Sequence, residues 1–193
     1  MKQVSAIVAM DEENGIGKKG KLPWHISEDL KWFKEISQQY DYLVIGGNTY
    51  RQGYDDYQKT LSLPGRDIIL LARESYGLNR DPKGGGKVYS FKDARFLLQR
   101  LFSNNQVGGP LYEQKSILVC GGAYVYDLFL PYISRLYLTR VKGVHNCDTH
   151  FSFRPKSSPF VAYDWYVERD LDVTDSNLDY IRIYEKKPVI SKL

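Results

Sequence analysis

Residues 16–34, IGKKGKLPWHISEDLKWFK, constrain this chain more than any other stretch. Ile16 to Lys21 holds two glycines and three lysines, which predicts a flexible, solvated loop. Pro23 fixes its own φ and restricts Leu22 before it, so a rigid corner follows. Ser27 is the expected cap of a helix, with Glu28 and Asp29 in a first turn where acids suit the helix dipole. Leu30, Phe33 and Ile36 then recur at helical spacing as an apolar stripe. Asp29 borders that stripe, one turn from Trp24. Alone it reads as an ordinary first-turn acid. Beside an apolar wall it also reads as a buried anion, which prefers a cationic or N–H-rich partner.

The remaining composition narrows the function classes. At 193 residues the chain is expected to form a single domain, 1–193, with a substantial core. No apolar run approaches a membrane span. Ala6 to Met10 is too short for a signal-peptide core and runs straight into Asp11-Glu12-Glu13. The net charge of +4 is spread along the chain, which permits an anionic small molecule and does not argue for nucleic acid. Cys120 and Cys147 have no metal or redox spacing, so reduced thiols in a cytoplasm are expected. His25 and His150 have no ligand spacing around them; no metal is expected, and His150 reads as a structural hydrogen-bonding residue. Ser191-Lys192-Leu193 matches a peroxisomal address, a three-residue pattern that arises readily by chance.

Along the chain, strands are expected at Val4–Met10, Tyr42–Ile45, Ile68–Leu71, Lys87–Tyr89, Ile117–Cys120 and Leu136–Val141. Two more, about 161–170 and 178–186, should close as an antiparallel hairpin. Helices are expected after Gly46, over Ala94–Leu101 behind a Ser90/Asp93 capping box, and over 123–130 before Pro131. Loops are expected at 54–61, 74–86, 103–115 and 142–160, and Leu63-Pro64-Gly65-Arg66 is a turn signal. Strands alternating with helices argue a mostly parallel sheet. Glycines directly after a strand, as at Gly46-Gly47, are more often a tight turn than a phosphate cradle, although α/β sheets use them both ways.

The stretch IVAMDEENGIGKKGKLPWHISEDLKWFK resembles the N-terminal signature of dihydrofolate reductases, with Ile16-Gly17, Leu22-Pro23-Trp24 and Asp29 at the matching positions. The likeness runs on through IGGNT (45–49), LPGR (63–66), VCGGAYVYDLFLP (119–131), LYLTRV (136–141), DTHF (148–151) and YEKK (184–187). It implies an α/β fold: an eight-stranded, mostly parallel sheet with flanking helices and a C-terminal antiparallel hairpin. The loops at 54–61, 74–86 and 103–115 look longer than in compact bacterial members.

The resemblance implies reduction of 7,8-dihydrofolate to tetrahydrofolate with NADPH, for one-carbon and thymidylate metabolism. Asp29 would hold the pterin through paired hydrogen bonds, Trp24 would wall the pocket and hold a water, and Thr139 would orient Asp29 and the pterin. Ile7, Val8, Leu30, Phe33 and Cys120 would line the substrate pocket, and Arg66 would bind the carboxylate of the glutamate tail. The cofactor would meet Ala9, Ile16 and Gly17 at its nicotinamide end, with residues 14–22 as a lid. Gly46, Gly47, Asn48 and Thr49 would make one phosphate contact, and Gly121, Gly122, Ala123, Tyr124, Val125 and Tyr126 another. Leu71, Ala72 and Arg73 would receive the 2′-phosphate end.

The departures from the family pattern fall mainly in that cofactor site. Gly47 and Tyr124 stand where basic residues are frequent, Asn48 where a basic or polar one is common, and Ala123 replaces a frequent third glycine. NADPH is therefore expected with a weaker phosphate grip and a relaxed preference over NADH. Elsewhere, Cys120 replaces a more usual aliphatic residue. Other expectations are binding of diaminopyrimidine and pteridine antifolates, no nucleic-acid or membrane partner, and a monomer or a dimer. The rival readings are a same-fold pyrimidine reductase of riboflavin synthesis and a catalytically silent folate- or nucleotide-binding protein.

Overall fold

The computed structural model describes residues 3–56, 66–73, 86–102, 115–153 and 165–187. In chain order the elements are β1 (Val4–Met10), β2 (Gly15–Gly17), α1 (Ser27–Ser37), β3 (Tyr42–Gly46), α2 (Gly47–Asp56), β4 (Asp67–Leu71) and β5 (Val88–Phe91). They continue with α3 (Ala94–Phe102), β6 (Ile117–Val119), α4 (Ala123–Phe129), β7 (Arg135–Val141), β8 (Thr149–His150), β9 (Trp165–Leu171) and β10 (Leu178–Lys186). Eight strands form one sheet in the order β5-β4-β3-β6-β1-β7-β10-β9, and β2 pairs with β8. Pairing is parallel from β5 to β7 and antiparallel where β10 joins β7 and β9. This is the fold expected from the sequence.

The two faces follow from strand alternation. Val4, Ala6, Val8 and Met10 of β1 pack with Leu97, Leu101, Val125 and Phe129 of α3 and α4. Ile7 points the other way, into a cluster with Ile36 of α1, Leu43, Ile45, Ile68 and Leu70. Central strands such as YLVIG and DIILL are buried on both faces, hence their unbroken apolar runs. Burying a side chain such as Phe129 or Leu97 contributes roughly 1.5–3 kcal/mol. The edge strand β9 is largely exposed and carries Glu168, Arg169 and Asp170, charges that discourage pairing with another chain.

Four local expectations are corrected. Ser27 lies inside α1, and the N-cap is Ile26, which makes no side-chain cap bond. Ile26 is buried with Val141, Leu178 and Ile181, so packing sets where α1 starts. At α3, Asp93 alone caps, accepting the Phe96 N–H at 2.8 Å, while Ser90 stays in β5. Residues 54–56 continue α2 instead of opening a loop. The loop expected from residue 16 begins as a strand, because Gly15 and Gly17 pair with His150 and Thr149. The expected turn at 63–65 and most of the loops at 74–86 and 103–115 lie outside the described residues.

Candidate active site

The parallel strands end together, and β6 lies between β3 and β1 although it comes later in the chain. Such a reversal opens a crevice beyond the strand ends. Here the ends are tied: the Gly46 N–H donates to the Gly121 carbonyl at 2.7 Å and the Cys120 N–H to the Val44 carbonyl at 2.9 Å. Close approach demands glycine, since a Cβ on Gly46 would lie 3.1 Å from Val125 Cγ2. Gly121 has φ +110°, and a Cβ there would meet the Tyr126 ring at 3.1 Å.

A cavity of about 480 Å³ opens over these ends, between the starts of α2 and α4. Ile16, Gly17, Gly46, Gly47, Asn48, Thr49, Gly122, Ala123, Tyr124 and Val125 line it, all of them expected at a cofactor site. Gly20 of the expected lid also lines it, as does Thr149, which sequence reasoning missed. Thr149 reaches the cavity only because β8 pairs with Gly17, a contact across 132 positions that no local pattern encodes. Among the lining residues none is charged.

Six expected cofactor residues lie off this cavity. Leu71 and Ala72 are buried in the two cores, and Arg73 is exposed beyond β4. Ala9 is half-buried in β1, opposite Thr139. Gly121 sits beneath the Tyr126 ring. Tyr126 is itself buried, stacks near Phe151 and donates its hydroxyl to the Ile7 carbonyl at 2.6 Å, so it supports the cavity floor. Burial pushes the Tyr126 hydroxyl pKa up, and nearby Cys120 and Asp29 add to the shift.

Asp29 is a buried carboxylate, 8% exposed, rather than a solvated first-turn acid. Burial raises its pKa above the ordinary aspartate range, and the Thr139 hydroxyl pulls it back down. Thr139 Oγ1 is buried and lies close enough to act on Asp29, yet it makes no hydrogen bond of good geometry. Trp24 Nε1 is likewise a buried donor with no protein partner, and its ring meets His145 edge-on at 5.1 Å. A buried acceptor with an unmatched hydroxyl beside it fits a polar heterocycle that carries both N–H groups and ring nitrogens.

Ile7, Phe33 and Cys120 share one apolar cluster, and Leu30 is half-buried on α1. Burial pushes the Cys120 thiol up, which keeps it protonated. Val8 is a correction: its side chain belongs to the opposite face of the sheet, so only its backbone can face this side. Arg66 is 3% exposed, and its Nη1 donates to Ser37 Oγ at 2.6 Å while Nε has no partner. Among the described residues no carboxylate pairs with it. Burial lowers its pKa, though a guanidinium is basic enough to keep its charge.

The segment ahead of the corner is fastened. Asp11 is fully buried and accepts the Gly15 and Glu13 N–H groups at 2.7 and 3.0 Å and the His145 N–H at 3.0 Å. Burial works against its ionisation, but these donors outweigh it and hold its pKa low. Asp148 accepts the Lys19 N–H at 2.7 Å and donates its own N–H to the Gly17 carbonyl at 3.0 Å. Asp11 was not singled out in the sequence, where it reads as one acid of three. His150 is exposed in β8, and no hydrogen bond of its ring is found among the described residues, contrary to the structural role expected for it. Among the described residues no three His, Cys, Asp or Glu side chains are placed to hold a metal.

Comparison with known proteins agrees with this geometry. A family model described as dihydrofolate reductase matches residues 3–160. A dihydrofolate reductase of Staphylococcus haemolyticus is 27% identical over 190 residues, covering 95% of this chain and 96% of that protein. One from Bacillus subtilis is 30% identical over 148 residues, covering 77% and 74%. Among solved structures, dihydrofolate reductase from Enterococcus faecalis, complexed with NADP(H) and RAB-propyl, superimposes with a TM-score of 0.65 at 25% identity, over 96% of this chain and 97% of that one. With that family model matched over residues 3–160 and the eight-stranded, mostly parallel sheet found as expected, the chain belongs to the dihydrofolate reductase family.

Proposed function

We propose that this chain is an oxidoreductase that reduces 7,8-dihydrofolate to 5,6,7,8-tetrahydrofolate with NADPH. The observation that carries the reading is Asp29, a buried carboxylate with Thr139 beside it and, among the described residues, no cation paired with it. NADPH, when bound, supplies the hydride. Asp29 accepts the 2-amino and ring N–H groups of the pterin, which fixes the ring's orientation. Thr139 beside it offers a hydroxyl, and the buried Trp24 Nε1 is a further donor left unmatched among the described residues. Ile7, Phe33, Leu30 and Cys120 supply the apolar walls that keep water from the reacting carbon. No second acid lines this region among the expected residues, so the proton for the pterin nitrogen comes from solvent. Arg66, buried with an unmatched Nε, takes the substrate's glutamate carboxylate.

The strand-end cavity fits the cofactor's phosphates, with glycines at close approach and Asn48, Thr49 and Thr149 as neutral polar groups. Diaminopyrimidine and pteridine antifolates would pair with Asp29 in place of substrate. Among the described residues no helix is long and apolar enough to cross a membrane, and both cysteines are free, which suits a reducing cytoplasm. The test is NADPH oxidation with dihydrofolate by the wild type and Asp29→Asn. The expected result is turnover that falls roughly 10²-fold or more in the variant. Wild-type inactivity with both NADPH and NADH would overturn the reading.

A further inference from the structure

Beside Asp29, Glu28 makes a concentrated set of contacts that the reaction does not use. Its carboxylate accepts the Thr174 N–H at 3.1 Å, the Thr174 hydroxyl at 3.0 Å and the Asp175 N–H at 2.7 Å. The two residues lie in the turn between β9 and β10, 146 and 147 positions away. That turn is held from the other side as well, where the Lys142 N–H donates to the Asn177 carbonyl at 2.9 Å at the end of β7. The contacts close a ring of structure around the site. Glu28 grips the turn; β10 runs from the turn and places Ile181 beside Thr139 of β7; and Thr139 faces Asp29, the residue next to Glu28. Two residues before Glu28, at the N-cap of α1, Ile26 packs against Leu178 and Ile181 of the same strand.

Asp29 needs such external support. Among the described residues its own carboxylate accepts no hydrogen bond of good geometry, not even from the nearby Thr139 hydroxyl, so its place depends on where the first turn of α1 sits. Packing through Ile26 is non-directional, whereas three donors converging on one carboxylate fix both position and rotation.

We propose that Glu28 is a positioning residue that sets the distance of Asp29 from Thr139 by pinning the first turn of α1 to the β9–β10 turn. The proposal rests on the reading of Asp29 as the pterin anchor. It concerns substrate binding and leaves the cofactor cavity, built on α2 and α4, untouched.

The experiment measures KM for dihydrofolate, KM for NADPH, kcat and Tm in the wild type, Glu28→Ala, Glu28→Gln and Thr174→Val, with Asp29→Asn as a control. Loss of the pin is expected to raise KM for dihydrofolate by roughly fivefold in Glu28→Ala, with KM for NADPH unchanged. Glu28→Gln keeps one acceptor oxygen and should recover part of the loss. Thr174→Val removes one donor and should show a smaller rise. A Tm decrease with KM for dihydrofolate unchanged would make Glu28 structural only and overturn the proposal. Should Glu28→Ala fail to fold, Glu28→Gln and Thr174→Val decide by the same criterion. An Asp29→Asn control with unaltered dihydrofolate binding would instead sink the anchor reading itself.

Discussion

The Gly46 N–H donates to the Gly121 carbonyl at 2.7 Å, so segments 75 positions apart, at the ends of two strands, are tied together beside the cavity. Gly121 holds φ +110° directly under the Tyr126 ring. Gly121→Ala meets both a backbone conformation that side chains avoid and a 3.1 Å contact, a cost of about 1–3 kcal/mol. We expect a lower Tm and weaker NADPH binding. Gly143→Ala is the comparison, because Gly143 has φ +81° but open space around it. It should lower Tm by less and leave NADPH affinity alone. Thermal unfolding with and without NADPH separates the two.

Asp29 makes stability depend on pH in a definite direction. Burial raises its folded-state pKa above the 3.8 of an exposed aspartate, with Thr139 opposing. Between the unfolded and folded pKa values the native state keeps a proton that the unfolded chain has lost. This contribution therefore favours folding less as pH rises through that window, and the penalty is complete above the folded pKa. Asn at this position carries no such penalty. Asp29→Asn should be more stable than the wild type at neutral pH, with the advantage shrinking on acidification. Denaturant unfolding across a pH series checks this, and a constant difference would refute it.

Arg66 is a buried cation whose only hydrogen bond among those found is to Ser37 Oγ, at 2.6 Å. Arg66→Met should leave the free protein at least as stable, since an uncompensated buried charge is removed. It should also raise KM for dihydrofolate by about tenfold, the worth of a charge-assisted pair. A pteridine without the glutamate tail should be unaffected. Equal losses with both ligands would remove Arg66 from substrate recognition.

Tyr124 is 65% exposed on the first turn of α4, at the edge of a cavity lined by no charged side chain. Tyr124→Arg places a cation there and should tighten NADPH binding by about tenfold at low salt, with the gain fading as salt screens it. The wild type should show little salt dependence and only a modest kcat/KM preference for NADPH over NADH. A very large wild-type preference would show that cations outside this cavity grip the cofactor.

Most of the fold was legible in the chain. Val4–Met10, Tyr42–Ile45 and Leu136–Val141 announced their strands because apolar runs between turn signals have few other uses, and Leu97 and Leu101 marked one face of α3 by spacing alone. Cavity residues adjacent to strand ends, such as Gly46 to Thr49 and Gly122 to Val125, were named through the family resemblance, since glycines after a strand read by themselves as a tight turn. Capping was less so: Ser27 is a good cap by type, but the burial of Ile26 against β10 outweighed it.

Sequence by itself determined the order of elements and the two-faced sheet, which follow from spacing within a few residues, and its family resemblance singled out Asp29, which spacing alone leaves an ordinary first-turn acid. Tertiary structure alone decided that Asp29 is buried, that Arg66 has a serine and no carboxylate beside it, that Tyr126 supports the cavity floor, and that Asp11 and Glu28 act as anchors. Each of these depends on partners brought together from distant parts of the chain. Local periodicity records which face of an element is apolar, whereas a hydrogen bond or a desolvated charge depends on what the rest of the fold places against that face.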